Sequence, residues 1–190
     1  MFTKYIENFL SNDECDHVIS LGESIGLNQM MSTRIENGKI IESNIIYKGN
    51  KRTGGIFKNE MLDIPEIKNL SNKIIKLSNE LKPFKGIVYN EIRKYSFNKY
   101  EIDDFLHWHS DDHETLNGAT LTYLIQLNDD YEDGYVKYII EGVEHKVNKK
   151  KGDLFIFDSN IPHTVEKITK GVRYSINVWP SSEITKKSII

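Results

Sequence analysis

The segment Phe105-Leu106-His107-Trp108-His109-Ser110-Asp111-Asp112-His113 concentrates potential metal ligands in a chain with six histidines. In an extended strand, residues i and i+2 project to the same side. His109 and Asp111 then present an imidazole and a carboxylate together. Such a pair is two thirds of a two-histidine, one-carboxylate triad, which leaves positions open on Fe(II). The third ligand has to come from another strand. His163 qualifies, 54 residues after His109, at the end of Asp153-Leu154-Phe155-Ile156-Phe157-Asp158-Ser159-Asn160-Ile161-Pro162-His163. That stretch reads as an apolar strand, a short turn, and a histidine opening the next strand. Ten residues further stands Arg173, with Ser175, Asn177 and Trp179 on the same face of one strand. An arginine buried near a metal needs an anion, and a dicarboxylate would offer it a bidentate partner. Each element alone is weak; their conjunction is specific.

Composition sets the frame around these residues. The chain has 190 residues, 38% hydrophobic and 11% aromatic, which is ordinary for a folded domain and unlike disorder. It carries 25 basic and 28 acidic side chains, for a net charge of −3. A slightly acidic chain with no basic stripe interleaved with aromatics disfavours nucleic-acid binding. No apolar run approaches the ~18 residues of a membrane span, and no signal peptide is visible. Cys15 is the only cysteine, so an internal disulfide framework and a cysteine zinc finger are excluded. A cytoplasmic location is expected, or the host cytoplasm if the source is viral. Lysine outnumbers arginine 21 to 4, and Ala119 is the only alanine, as AT-rich coding in a microbe or virus would give. Against that background Arg34, Arg52, Arg93 and Arg173 stand out as sites that could need a planar fork.

The elements that must position the candidates follow from pattern. Phe2 to Phe9 reads as a strand. Ser11-Asn12-Asp13-Glu14 has capping-box spacing, predicting a helix to about Gly26 with Cys15 as packing. Asn37-Gly38 predicts a two-residue hairpin turn. The glycine-rich, basic stretch from Lys48 to Asn59 reads as a mobile surface loop and a candidate lid. Ile64, Ile67, Leu70, Ile74, Leu77 and Leu81 form one apolar stripe, with Pro65 in the first turn and Pro83 past the end. From there the texture is β, with strands expected near 86–95, 97–100, 105–110, 119–128, 135–140, 144–148, 153–158, 163–168 and 172–179. Two helices ahead of a run of strands is α+β order, with helices buttressing a sandwich or barrel.

With these motifs in place, the chain resembles the 2-oxoglutarate- and Fe(II)-dependent oxygenases, specifically the prolyl 4-hydroxylase-like branch. Tyr100 stands nine residues before His109, as in that family. Asp103 and Asp133 occupy places where the family usually has glycine, and Gln126 replaces a common tyrosine. Arg52-Thr53-Gly54-Gly55-Ile56-Phe57 resembles the family's Arg-Thr-Ser segment. The likeness is good over roughly residues 50–180 and looser before. It implies a single domain over residues 1–190: helical support to about 83, and a double-stranded β-helix, or jelly roll, over about 84–180. Iron would be held by His109, Asp111 and His163. 2-Oxoglutarate would chelate the iron, with its far carboxylate on Arg173, helped by Thr122 and Tyr100; Gln126 could touch it, and Trp179 should lie near. O2 is the second co-substrate and ascorbate an accessory reductant. The implied reaction is hydroxylation, most simply of a peptidyl proline, with release of succinate and CO2; small-molecule substrates stay open.

Two other readings use the same residues. His107-Trp108-His109 followed by Glu114 outlines a cupin signature, although a cupin has no need for Arg173. A non-catalytic binding module on the same scaffold would be expected to lack a ligand, and here the triad and the arginine are complete.

Overall fold

The structure, a computed structural model, describes residues 1–24, 28–29, 33–36, 39–42, 52–56, 63–82, 87–111 and 121–182. Strand β1 (Thr3–Ile6) leads into helix α1 (Asn12–Ser24). The capping box closes as its spacing predicts. The Glu14 N–H donates to Ser11 Oγ at 3.2 Å, and the Ser11 N–H donates to Glu14 Oε2 at 2.9 Å, an arrangement that stabilises a helix start by about 1 kcal/mol. Cys15, Val18 and Gly22 form the buried side. Gly22 is required there, since a Cβ would lie 2.4 Å from the Phe97 ring. Short strands β2 (Asn28–Gln29), β3 (Thr33–Glu36), β4 (Lys39–Glu42) and β5 (Thr53–Ile56) precede helix α2 (Pro65–Leu81). Glu36 pairs with Lys39 across the expected hairpin, whose turn residues lie outside the described ones. In α2, Pro65 occupies the first turn and Lys82, at φ 43°, ends the helix by donating its N–H to Ser78 O. Its stripe of Ile67, Leu70 and Ile74 is buried.

The remaining strands are β6 (Tyr89–Tyr100), β7 (Leu106–His109), β8 (Leu121–Gln126), β9 (Glu132–Asp133), β10 (Val136–Ile140), β11 (Val143–Lys146), β12 (Leu154–Asp158), β13 (His163–Val165), β14 (Ile168–Lys170) and β15 (Arg173–Ser182). The large antiparallel sheet runs β1-β12-β8-β15-β6-β5-β2, and the small one runs β11-β10-β13-β7. This is the double-stranded β-helix that the sequence implied, with helices outside. Two apolar clusters follow from period-two alternation. Leu121, Tyr123 and Ile125 of β8 join Ile67, Leu70 and Ile74 under the helices, while Leu124 joins Phe155, Phe157 and Val165 between the sheets. All six residues of β8 are therefore buried. The tyrosines in the helix layer keep polar partners: the Tyr123 hydroxyl lies 2.6 Å from Ser78 Oγ.

Register fixes what the inner face displays. Lys94 pairs with Trp179, Ser96 with Asn177, Asn98 with Ser175 and Tyr100 with Arg173 across β6 and β15. On the other side of β15, Asn177 pairs with Leu124 and Ser175 with Gln126. The centre of the large sheet thus turns a polar, cationic surface toward the small sheet.

Several expectations need correction. Where two strands are expected near 86–95 and 97–100 there is one, β6 (Tyr89–Tyr100), because Ser96 continues the inward alternation instead of breaking it. The expected strand 163–168 is two, β13 and β14, the second paired with the unanticipated β9. β15 continues past Pro180 through a register shift at Trp179/Pro180, the kind of irregularity at which a strand tolerates proline. β1 is shorter than Phe2 to Phe9. Within the Lys48–Asn59 stretch, Thr53–Ile56 is strand β5, paired with β6 from Lys99 to Ser96; that part is not a mobile loop. Residues 43–51 and 57–60 lie outside the described ones.

Candidate metal centre

The chain brings His109, Asp111 and His163 together from two elements. His163 in β13 pairs directly with His109 in β7. Asp111 lies just past the end of β7 rather than within it. Its N–H donates to Ser159 O at 2.7 Å, tying it to the turn between β12 and β13. The ligand atoms of all three lie within 4.8 Å of one another. His109 Nε2 is 3.7 Å from Asp111 Oδ1, and His163 Nε2 is 3.7 Å from Asp111 Oδ2.

Hydrogen bonding sets the tautomers. His109 Nδ1 lies 2.8 Å from His107 O, and His163 Nδ1 lies 2.9 Å from Ile161 O. A carbonyl only accepts, so each Nδ1 carries the proton and each Nε2 offers a lone pair to the centre. His163 Nε2 is buried without a protein partner. Burial first, and then the neighbouring His163, push the His109 imidazolium down to about 4, so His109 is a neutral donor at ordinary pH. Two imidazole lone pairs and a carboxylate converge with no hydrogen between them. Such a group is stable when a cation sits among them, and its nitrogen–oxygen donor set suits non-haem Fe(II).

Asp111 is itself held. Thr122 Oγ1 donates to its Oδ2 at 2.8 Å, and Trp179 Nε1 donates to Thr122 Oγ1 at 3.1 Å. An indole can only donate, so the Thr122 hydroxyl hydrogen is directed at the carboxylate. Ser159 Oγ completes the cluster 3.1 Å from Thr122 Oγ1. Asp111 Oδ1 is left for a metal.

Arg173 is completely buried. Its Nη2 donates to Gln126 Oε1 at 2.5 Å and its Nη1 to Ser175 Oγ at 3.2 Å, while its Nε has no hydrogen-bond partner. The Tyr100 ring lies 5.1 Å from the guanidinium carbon. No described carboxylate forms an ion pair with it. A buried guanidinium stays charged, and without an anion it costs several kcal/mol. The far carboxylate of 2-oxoglutarate fits that deficit.

Structure and sequence differ here in detail. Tyr100 and Gln126 meet at Arg173 as expected, whereas Thr122 and Trp179 meet at Asp111. His107 is exposed and packs edge-on against Phe105 at 5.3 Å. It lies outside the cluster that could hold a metal, contrary to the cupin pattern; Glu114 falls outside the described residues. Sequence reasoning missed Tyr131, whose hydroxyl accepts from Gln126 Nε2 at 2.5 Å, and Ser159; neither carries a spacing signal. Arg52, read from the sequence as part of a candidate lid, donates from Nη1 to the Tyr100 hydroxyl at 3.1 Å.

Comparison with known proteins agrees with this geometry. The model of the 2OG-Fe(II) oxygenase superfamily matches residues 95–181, which contain the triad and Arg173. The fold of the chain is that of the prolyl 4-hydroxylase-like enzymes. A prolyl-4-hydroxylase from Pseudomonas putida superposes with a TM-score of 0.74 at 15% identity, over 95% of this chain and 92% of that one. A Trichoplax adhaerens prolyl hydroxylase, solved with a hypoxia inducible factor peptide fragment, gives 0.77 at 19%, over 99% and 87%. A viral collagen prolyl hydroxylase from Paramecium Bursaria Chlorella virus-1, in complex with 2OG, gives 0.63 at 18%, over 95% and 96%. No curated protein sequence matches. The superfamily implies Fe(II), 2-oxoglutarate and O2. Among the described residues, no helix is long and apolar enough to cross a membrane.

Proposed function

We propose that this oxygenase hydroxylates a peptidyl proline. The observation that carries the reading is the triad of ligand atoms within 4.8 Å of one another beside a buried guanidinium with no described carboxylate partner. When bound, iron and its co-substrate supply the oxidation: 2-oxoglutarate and O2 give succinate and CO2, and one oxygen atom enters a substrate C–H bond. The chain's own residues bind and orient. His109, Asp111 and His163 hold the metal. Arg173, with Gln126, Ser175 and Tyr100 around it, holds the far carboxylate. Thr122 and Trp179 fix the carboxylate plane of Asp111. Phe157, 4.8 Å edge-on to His163, keeps water from one side of the centre.

The fold likeness to prolyl hydroxylases, one of them solved with a peptide, supports proline as the target. The acidic net charge and the lack of a basic stripe argue against nucleic acid, and the single buried cysteine suits a reducing cytoplasm. The test is turnover with a panel of proline peptides, scored by succinate release and a gain of about 16 mass units, one oxygen atom, on the peptide. Succinate release stimulated by a peptide that gains this mass supports the reading. Stimulation only by small molecules would reassign the substrate.

A further inference from the structure

Two cations at the metal centre have no role in the chemistry described so far. Lys94 projects from β6 onto the inner face, its Nζ 5.4 Å from the centre of the Trp179 ring. Trp179 in turn reaches Asp111 through Thr122. Arg52, just ahead of β5, makes its one described hydrogen bond to the Tyr100 hydroxyl. Both side chains are half-buried. No described carboxylate forms an ion pair with either. Asp111 and Arg52 are both among the charged groups that act on Lys94.

Loading the site does not neutralise them. The charges of 2-oxoglutarate would be taken up by iron at one end and Arg173 at the other. Two half-buried cations therefore remain beside the metal centre with no carboxylate partner among the described residues. Their mutual repulsion, felt at Lys94, is a cost that a bound anion relieves. Lysine on an indole face keeps its ammonium free to donate hydrogen bonds.

We propose that Lys94 and Arg52 form a carboxylate-recognition pair beside the iron centre, so that the substrate carries a carboxylate next to the carbon that is oxidised. In a peptide this is an acidic residue flanking the target; in a free amino acid it is the α-carboxylate. The inference rests on the substrate-oxidation reading above and names the chemistry of that substrate.

The test separates the two. Binding is measured anaerobically, by tryptophan fluorescence, on protein loaded with Fe(II) and 2-oxoglutarate. The ligands are proline peptides with Glu, Gln or Lys beside the proline, together with L-proline and L-prolinamide. The expected result is about ten-fold tighter binding of the Glu peptide than of the Gln peptide, weakening as salt rises. Lys94→Glu should reverse the order so that the Lys peptide binds best, which loss of packing alone would not do. If L-proline, and not the Glu peptide, outbinds its neutral counterpart in a Lys94-dependent way, the carboxylate comes from a free amino acid and the inference stands. Equal binding of acidic, neutral and basic ligands overturns it, whatever is oxidised. An effect of Lys94→Glu confined to 2-oxoglutarate affinity also overturns it, by assigning the pair to the co-substrate. Charge-selective binding without oxidation of any proline ligand would sink the prolyl reading and leave this one in place.

Discussion

His163 and His109 lie directly opposite one another across β13 and β7, with ring centroids 4.1 Å apart. Two imidazoles at that distance, each with its Nδ1 proton committed to a backbone carbonyl, have no hydrogen bond to offer each other. The pairing holds two lone pairs at a distance a metal can bridge, so metal binding and stability are linked.

A divalent metal should therefore raise the melting temperature of the wild-type protein. At a hundred-fold excess over Kd the stabilisation is about 2.7 kcal/mol. His109→Ala, Asp111→Ala and His163→Ala should each lose both this shift and succinate formation while keeping the native circular dichroism spectrum. Asp111→Glu should also lose turnover, because the longer carboxylate misplaces the open positions. A full thermal shift in any of the alanine variants removes that residue from the triad.

Thr122→Val keeps the shape of the side chain but removes the hydrogen bond to Asp111. Outer-shell partners of this kind are worth roughly 10–100-fold in metal affinity. Calorimetric titration with Fe(II) under anaerobic conditions should show such a loss for Thr122→Val and a smaller one for Trp179→Phe, which acts one bond further out. Unchanged affinity in Thr122→Val would mean that the Ser159 turn alone holds Asp111.

The sequence carried the site further than it carried the scaffold's edges. His109, Asp111, His163 and Arg173 were readable because their chemistry is tied to strand parity and to a fixed interval along the chain. The α2 stripe and the Ser11 capping box were readable because both are local. β5 and β9 were not: a Thr-Gly-Gly-Ile strand has no alternation, and Glu132-Asp133 has no apolar side chain. Each is held by a partner distant in sequence. The contact of Arg52 with Tyr100 was unreadable for the same reason, since only the β5–β6 pairing brings them together. Thr122 shared a face with Gln126 as expected, but parity gives the face and not the neighbour, and the neighbour is Asp111.

The two aspartates that replace family glycines show sequence and conformation meeting at single residues. Asp103 and Asp133 have φ values of 69° and 57°. Both are left-handed, where aspartate is tolerated and β-branched residues are not. Asp103 is exposed, and its ion pair with Lys167 at 3.2 Å is a surface contact of little energetic weight. Asp103→Val should therefore destabilise by about 1–2 kcal/mol despite removing nothing buried, whereas Asp103→Gly should stay within about 0.5 kcal/mol of wild type. Urea denaturation of the two variants checks the ordering; equal destabilisation would place the cost in the Lys167 contact.

Arg173 couples co-substrate binding to stability with opposite signs. Its guanidinium is buried among Gln126, Ser175 and Tyr100 with no carboxylate partner among the described residues, a charge that bound 2-oxoglutarate would compensate. Arg173→Lys exchanges a fork for a point charge and should weaken 2-oxoglutarate binding about ten-fold. Arg173→Met removes the charge at comparable volume and should weaken it by several kcal/mol, more than a hundred-fold. The same variant should leave the free protein as stable as wild type or more so, as replacing buried charges by apolar side chains often does. Gln126 and Ser175 would lose one donor each, which limits the gain. Thermal melts with and without 2-oxoglutarate read both effects at once. The wild type should gain stability on adding the co-substrate, and Arg173→Met should not. A variant that melts well below wild type without 2-oxoglutarate, yet still gains on its addition, would make Arg173 a packing residue and place the anion site elsewhere.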